Sequence, residues 1–216
     1  MVKLVAFDLD GTIGDTIPMC IRAFKKAVAP YVLHELSEKD IVQTFGLNEE
    51  GMIRQVTDRN WEKALEDFYA CYSQMHEMCP HPFEGITELI QRLRRNGFLT
   101  ALVTGKGQNS CNITLDKFGM SDYFDAIETG SPYKNRKAEA IGNLLERFHL
   151  APDELLYVGD TVSDVLSCKE AHVECLSAAW APNALFEELS AVNAGNVITS
   201  VPDLEQRLVF MKIIHH

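Results

Sequence analysis

The sequence predicts an α/β fold: a parallel sheet sandwiched by helices, with an all-helical segment inserted after the first strand. Three observations predict it. Short apolar or β-branched runs recur along the chain, amphipathic helical patterns separate most of them, and residues 16–80 break the alternation with helical pattern alone.

The strand-like runs lie at 3–8 (KLVAFD), 98–103 (FLTALV), 124–128 (FDAIE), 155–159 (LLYVG), 173–178 (VECLSA) and 196–199 (NVIT). Between them, Ile86, Leu89, Ile90 and Leu93 follow i, i+3, i+4, i+7 spacing, as do Ile141, Leu144, Leu145 and Phe148. Asn96-Gly97 is a helix stop, and Pro152-Asp153-Glu154 turns the chain into the next strand. In the inserted segment, Trp61, Leu65, Phe68, Tyr69 and Tyr72 make a helical stripe that reads as a small core of its own. Pro80-His81-Pro82 marks its exit. The expected domains are therefore 1–15 with 83–216, and 16–82 between them.

Composition narrows the function. A net charge of −11 argues against a nucleic-acid surface, and no apolar run reaches the length of a membrane span. Six scattered cysteines form no CxxC pair or zinc-finger spacing. They read as reduced thiols of a cytoplasmic protein. The opening MVKLVAFDLD lacks a signal-peptide layout, since Asp8 interrupts its apolar run. His215-His216 reads as a tail, not a metal site.

The chemistry gathers where ligands bind open α/β sheets, beyond the carboxyl ends of the strands. The first strand delivers Asp8-Leu9-Asp10-Gly11-Thr12, and the second Thr104-Gly105-Lys106-Gly107. The loop after the third carries Lys134-Asn135-Arg136-Lys137. The fourth ends in Gly159-Asp160-Thr161, with Asp164 four residues beyond Asp160. Clustered carboxylates imply a shared cation, and an all-oxygen donor set favours Mg²⁺. A carboxylate can attack phosphorus, and a second one two residues away can serve as acid and base. A strand-tip hydroxyl, a backbone N–H and a lysine can hold the phosphoryl oxygens. Lys106-Gly107 lacks the upstream glycine of a P-loop.

These four tips, Asp8-x-Asp10-Gly11-Thr12, Thr104, a lysine near 137, and Gly159-Asp160-x-x-x-Asp164, resemble the four motifs of the haloacid dehalogenase-like hydrolases. Within them, the phosphoglycolate phosphatase-like branch with a helical cap is the nearest likeness. The resemblance implies a Rossmann-like core and a cap at residues 16–82. It implies a Mg²⁺-dependent phosphomonoester hydrolase acting on a small phosphorylated metabolite, with phosphoglycolate the best single candidate. It makes Asp8 the nucleophile and a metal ligand, and Asp10 the acid/base with its carbonyl on the metal. Asp160 becomes the third protein ligand. Asp164 becomes a ligand through water or an orienter of the lysine. Gly11, Thr104, Gly105 and Lys137 would bind phosphate, and Phe45-Gly46-Leu47 would face the substrate. Arg22, Lys25 and Arg54 are further candidates to meet an anionic substrate.

The third motif often reads Lys-Pro in this family. Here it is KNRKAEAI, and Lys137, set directly before a helical pattern, is preferred to Lys134. Position 14 is usually bulky and apolar; Gly14 is expected to loosen the joint to the cap. The expected assembly is a monomer or weak homodimer. A phosphotransferase of the β-phosphoglucomutase type and a silent phosphate-binding module are the alternatives. A dehalogenase would need neither a Mg²⁺ cluster nor an acid at position 10.

Overall fold

A computed structural model describes residues 1–57 and 59–214; His215 and His216 lie outside the described residues. Six parallel strands form one sheet: β1 (Leu4–Phe7), β2 (Leu99–Val103), β3 (Ala126–Glu128), β4 (Leu155–Gly159), β5 (Glu174–Ala178) and β6 (Val197–Ile198). Their spatial order is β3-β2-β1-β4-β5-β6. Each lies inside the run that the sequence marks.

Ten helices complete the described residues. Four of them, α1 (Ile17–Val28), α2 (Glu38–Val42), α3 (Glu49–Val56) and α4 (Trp61–Met75), lie between β1 and β2 in the chain. The others are α5 (Ile86–Arg95), α6 (Gln108–Phe118), α7 (Lys137–Phe148), α8 (Val162–Glu170), α9 (Phe186–Val192) and α10 (Val201–Phe210).

The pleat sorts the core. Successive strand side chains point to opposite faces, so Val5 and Phe7 of β1 join one apolar cluster and Leu4 and Ala6 another. Helices α5, α6 and α10 cover the first cluster through residues such as Ile90, Leu115 and Leu204. The second is covered by α7, α8 and α9 through Ile141, Val165 and Leu189. All four residues of β1 are fully buried, which is why its sequence is continuously apolar.

The helical insert has its own core. Met19, Phe24, Ile53, Phe68 and Tyr72 are buried together, and Trp61, Leu65 and Tyr69 pack at the edge. The stripe is thus structural, as expected. The insert is tied to the sheet layer by buried polar contacts. The Tyr72 hydroxyl lies 2.8 Å from Thr114 Oγ1 of α6, and His76 Nε2 lies 3.1 Å from the same oxygen.

Candidate active site

The strand order reverses direction between β1 and β4, and that reversal opens the crevice where ligands bind in such sheets. Asp8 follows β1 and Asp160 follows β4 at this point. The loop that follows Asp8 is pinned by Leu9 and Ile13, both fully buried in the core, on either side of Asp10. Ile13 N–H donates to Leu9 O at 2.9 Å, closing the turn. The Trp180 indole donates to Thr12 O at 3.1 Å and fixes the loop from the side. The tip of β5 contributes this clamp.

Gly11 is required here. Its φ is +77°, in the region that favours glycine, and a Cβ would lie 2.1 Å from Asp160 Oδ2. Its N–H donates to Gly14 O at 2.8 Å. Gly11 therefore makes room for Asp160, and its donor is directed into the turn. Gly11→Ala is expected to displace Asp160 and weaken divalent-cation binding about tenfold or more, on the scale of supporting-residue changes at metal sites; a Mg²⁺ titration followed by isothermal calorimetry checks it.

Asp8, Asp160 and Asp164 each offer an oxygen within 4.8 Å of the others. Burial pushes the Asp8 carboxyl up to about 7; Lys137 opposes the rise, while Asp164 and Asp10 add to it. Burial, with Asp8 and Asp164 nearby, drives Asp160 well above the usual carboxylate range. Asp8 Oδ1 is buried without a hydrogen-bond partner. An orphaned oxygen beside crowded carboxylates, all of them hard donors, fits a divalent cation of the Mg²⁺ type.

Lys137 stands at the first position of α7. Its Nζ lies 2.9 Å from Asp8 Oδ2 and 2.5 Å from Asp164 Oδ1. Burial works against its charge, but the two carboxylates outweigh burial and hold it well above the ordinary lysine value. Lys134 instead pairs with Glu139 at 2.8 Å on the surface. Of the two lysines, Lys137 is the one that reaches Asp8 and Asp164.

Asp164 is fully buried. Oδ1 accepts from Lys137 and from the Tyr157 hydroxyl, and Oδ2 accepts from the Thr161 N–H and hydroxyl. Despite burial, Lys137 and these hydrogen bonds hold it below the usual carboxylate range. Four donors thus meet its two oxygens, and the bond from the Thr161 N–H closes a capping box at the start of α8.

Asp10 lines the same cavity as Asp8 but is engaged by other partners. Its Oδ1 accepts from the Thr16 hydroxyl and lies 3.3 Å from Lys106 Nζ. Thr104 and Gly105 follow β2; Thr104 is buried, with its hydroxyl accepting from Lys106 N–H at 3.2 Å.

A cavity of about 320 Å³ joins these groups. Asp8, Asp10, Gly105 and Lys137 line it from the sheet layer, and Phe45, Gly46, Leu47 and Met52 from the insert. Arg22, Lys25 and Arg54 do not line it: Arg22 rests on Met78, Lys25 pairs with Glu35, and Arg54 pairs with Glu50 and covers the Trp61 ring. The cavity's second cation is Lys106, which sequence reasoning passed over. Its place three residues past the end of β2 was the available signal.

Gly14 does not sit in open space. A Cβ there would meet the Phe118 ring at 2.7 Å. Phe118 occupies the volume beside residue 14, so glycine here accommodates a neighbour; it does not leave the joint slack.

The sequence profile of the haloacid dehalogenase-like hydrolases matches residues 5–178. The chain is a haloacid dehalogenase-like hydrolase. Similar proteins within the family include a phosphoglycolate phosphatase of Vibrio parahaemolyticus, 27% identical over 94% of each chain. A pyrophosphatase PpaX of Halalkalibacterium halodurans is 25% identical, over 94% of this chain and 95% of its own. The crystal structure of a predicted phosphoglycolate phosphatase from Haemophilus somnus has a TM-score of 0.79 at 19% identity, covering 95% of this chain and 97% of that one. That likeness establishes the fold of this hydrolase. No helix among its described residues is long and apolar enough to cross a membrane.

Proposed function

We propose that this hydrolase is a Mg²⁺-dependent phosphatase that cleaves a small phosphomonoester through an aspartyl-phosphate on Asp8. One observation carries the reading. Asp8 presents a buried, unpartnered Oδ1 among crowded carboxylates, while its Oδ2 is held by Lys137.

Asp8, Asp160 and the Asp10 carbonyl are the proposed ligands of Mg²⁺, which when bound offsets phosphoryl charge as a Lewis acid. Asp8 attacks phosphorus. Asp10 gives a proton to the leaving oxygen and then takes one from water. Lys137, the Thr104 hydroxyl and the Gly105 N–H hold the phosphoryl oxygens as charge develops. Lys137 and the bound cation thereby supply the positive field in a chain of net charge −11. Residues 16–82 act as the cap over a core of 1–15 and 83–216, since Phe45-Gly46-Leu47 close the cavity from the insert side.

The curated relatives named phosphoglycolate phosphatase support 2-phosphoglycolate as substrate. The relative named pyrophosphatase makes inorganic pyrophosphate the rival to test beside it. A phosphotransferase acting on a sugar phosphate would need a second strongly cationic subsite. Among the described residues, the only lysine or arginine lining the cavity besides Lys137 is Lys106, one cation where such a subsite would gather several.

The test is phosphate release from a panel of 2-phosphoglycolate, pyrophosphate, hexose phosphates and p-nitrophenyl phosphate, with Mg²⁺ and with EDTA. Release that is fastest from 2-phosphoglycolate and lost in EDTA is expected. Release undiminished by EDTA would remove the metal from the mechanism.

A further inference from the structure

We propose that Lys106 selects the leaving group, binding an anionic substituent, a carboxylate, carried one carbon from the ester oxygen. The proposal rests on the phosphatase reading above and deepens it. Its grounds are geometric.

Lys106 is almost wholly buried, yet it lines the cavity. Its Nζ lies 3.3 Å from Asp10 Oδ1 and 4.5 Å above the Tyr72 ring. Asp10 is the group placed to protonate the departing oxygen. A cation in contact with Asp10 therefore sits within a few ångströms of that oxygen, the reach of a substituent on the adjacent carbon. Longer leaving groups would carry their charge past it.

The rest of that end of the cavity offers no competing charge reader. Ile17, Cys20, Leu47 and Met52 make an apolar wall. Glu49, the anion that the insert adds to the lining beside Asp8 and Asp10, is engaged elsewhere: its carboxylate accepts from Gly107 N–H at 2.8 Å and from the Ser110 hydroxyl. An apolar wall with a single convergent cation matches the usual construction of a selective small-molecule site. A buried charge reader also discriminates strongly, because a ligand lacking the partner charge gains nothing from the desolvated lysine.

The test compares two esters that differ only in this group: 2-phosphoglycolate and 2-hydroxyethyl phosphate, its neutral analogue. The wild-type protein is expected to favour the carboxylate in kcat/KM. Lys106→Met is expected to lower that preference about 30-fold or more, the scale of losing one partner of a buried charge pair. Lys106→Arg is expected to keep part of it, which guards against a variant that merely folds badly. Equal losses on both esters in Lys106→Met would overturn the proposal and leave Lys106 acting only through Asp10, as would an unchanged ratio. Absence of any Mg²⁺-dependent turnover of p-nitrophenyl phosphate by the wild type would instead reject the phosphatase reading.

Discussion

Asp8→Asn is expected to abolish phosphate release and to raise the stability of the cation-free protein. The first effect follows from the proposed chemistry: an amide cannot form the covalent intermediate, and loss of a nucleophile costs on the order of 10⁴-fold or more in turnover. The second follows from the carboxylates. Burial raises Asp8 from 3.8 to about 7 in the folded chain. The folded state therefore holds the proton more tightly than the unfolded one. Stability contributed by the protonated form is present at low pH and is lost as pH rises from about 4 to about 7. Asn keeps the shape without the charge, so this loss disappears. Melting temperatures in EDTA, recorded from pH 4 to pH 8, should converge at the acid end and separate above it in favour of the variant. A variant that melts lower than wild type at pH 8 would show that the Asp8–Lys137 contact outweighs the buried charge. The site thus trades fold stability for reactivity, as functional clusters commonly do.

Lys137→Met should act in the opposite direction on stability. Removing it leaves Asp8 and Asp164 buried without their shared cation, and breaking a buried ion pair from one side costs about 3–5 kcal/mol. Urea unfolding in EDTA measures it. Activity should fall with stability, by roughly 10²–10³-fold in kcat, because a fixed charge on the developing phosphoryl oxygens is lost. Addition of Mg²⁺ should recover part of the stability, as a ligand binding the folded state does, without restoring kcat. The two variants together separate the roles: Asn at 8 gains stability and loses chemistry, whereas Met at 137 loses both.

Much of this arrangement is legible in the sequence because it is local. Each strand announces itself by a short apolar run, and each catalytic candidate except Lys137 sits within a few residues of a strand's end. Lys137 is separable from Lys134 by its place at a helix start. What is not legible depends on elements distant in the chain closing over one another. Lys106 looks like an exposed loop lysine until Asp10 and Tyr72, 96 and 34 residues before it, are seen to enclose it. Arg22, Lys25 and Arg54 look equally suitable as anion contacts, yet the faces on which α1 and α3 carry them turn to partners within the insert. The volume beside Gly14 is filled by Phe118, more than 100 residues later, a compensation that no local pattern records. Trp180 anchors the loop of Asp8 from a strand tip that carries no chemistry of its own.

Glu49 has a consequence for anyone recombining such proteins. This side chain belongs to the insert but closes the start of α6 in the sheet layer, where Gly107 N–H and the Ser110 hydroxyl are its partners. A chimera that grafts a foreign insert onto this chassis would leave the buried Gly107 N–H without this acceptor unless the graft brings its own at the matching position. Compatibility between donor and recipient is therefore set by a pair of positions, 49 with 107–110, and shuffled libraries should be enriched for members that inherit both from the same parent.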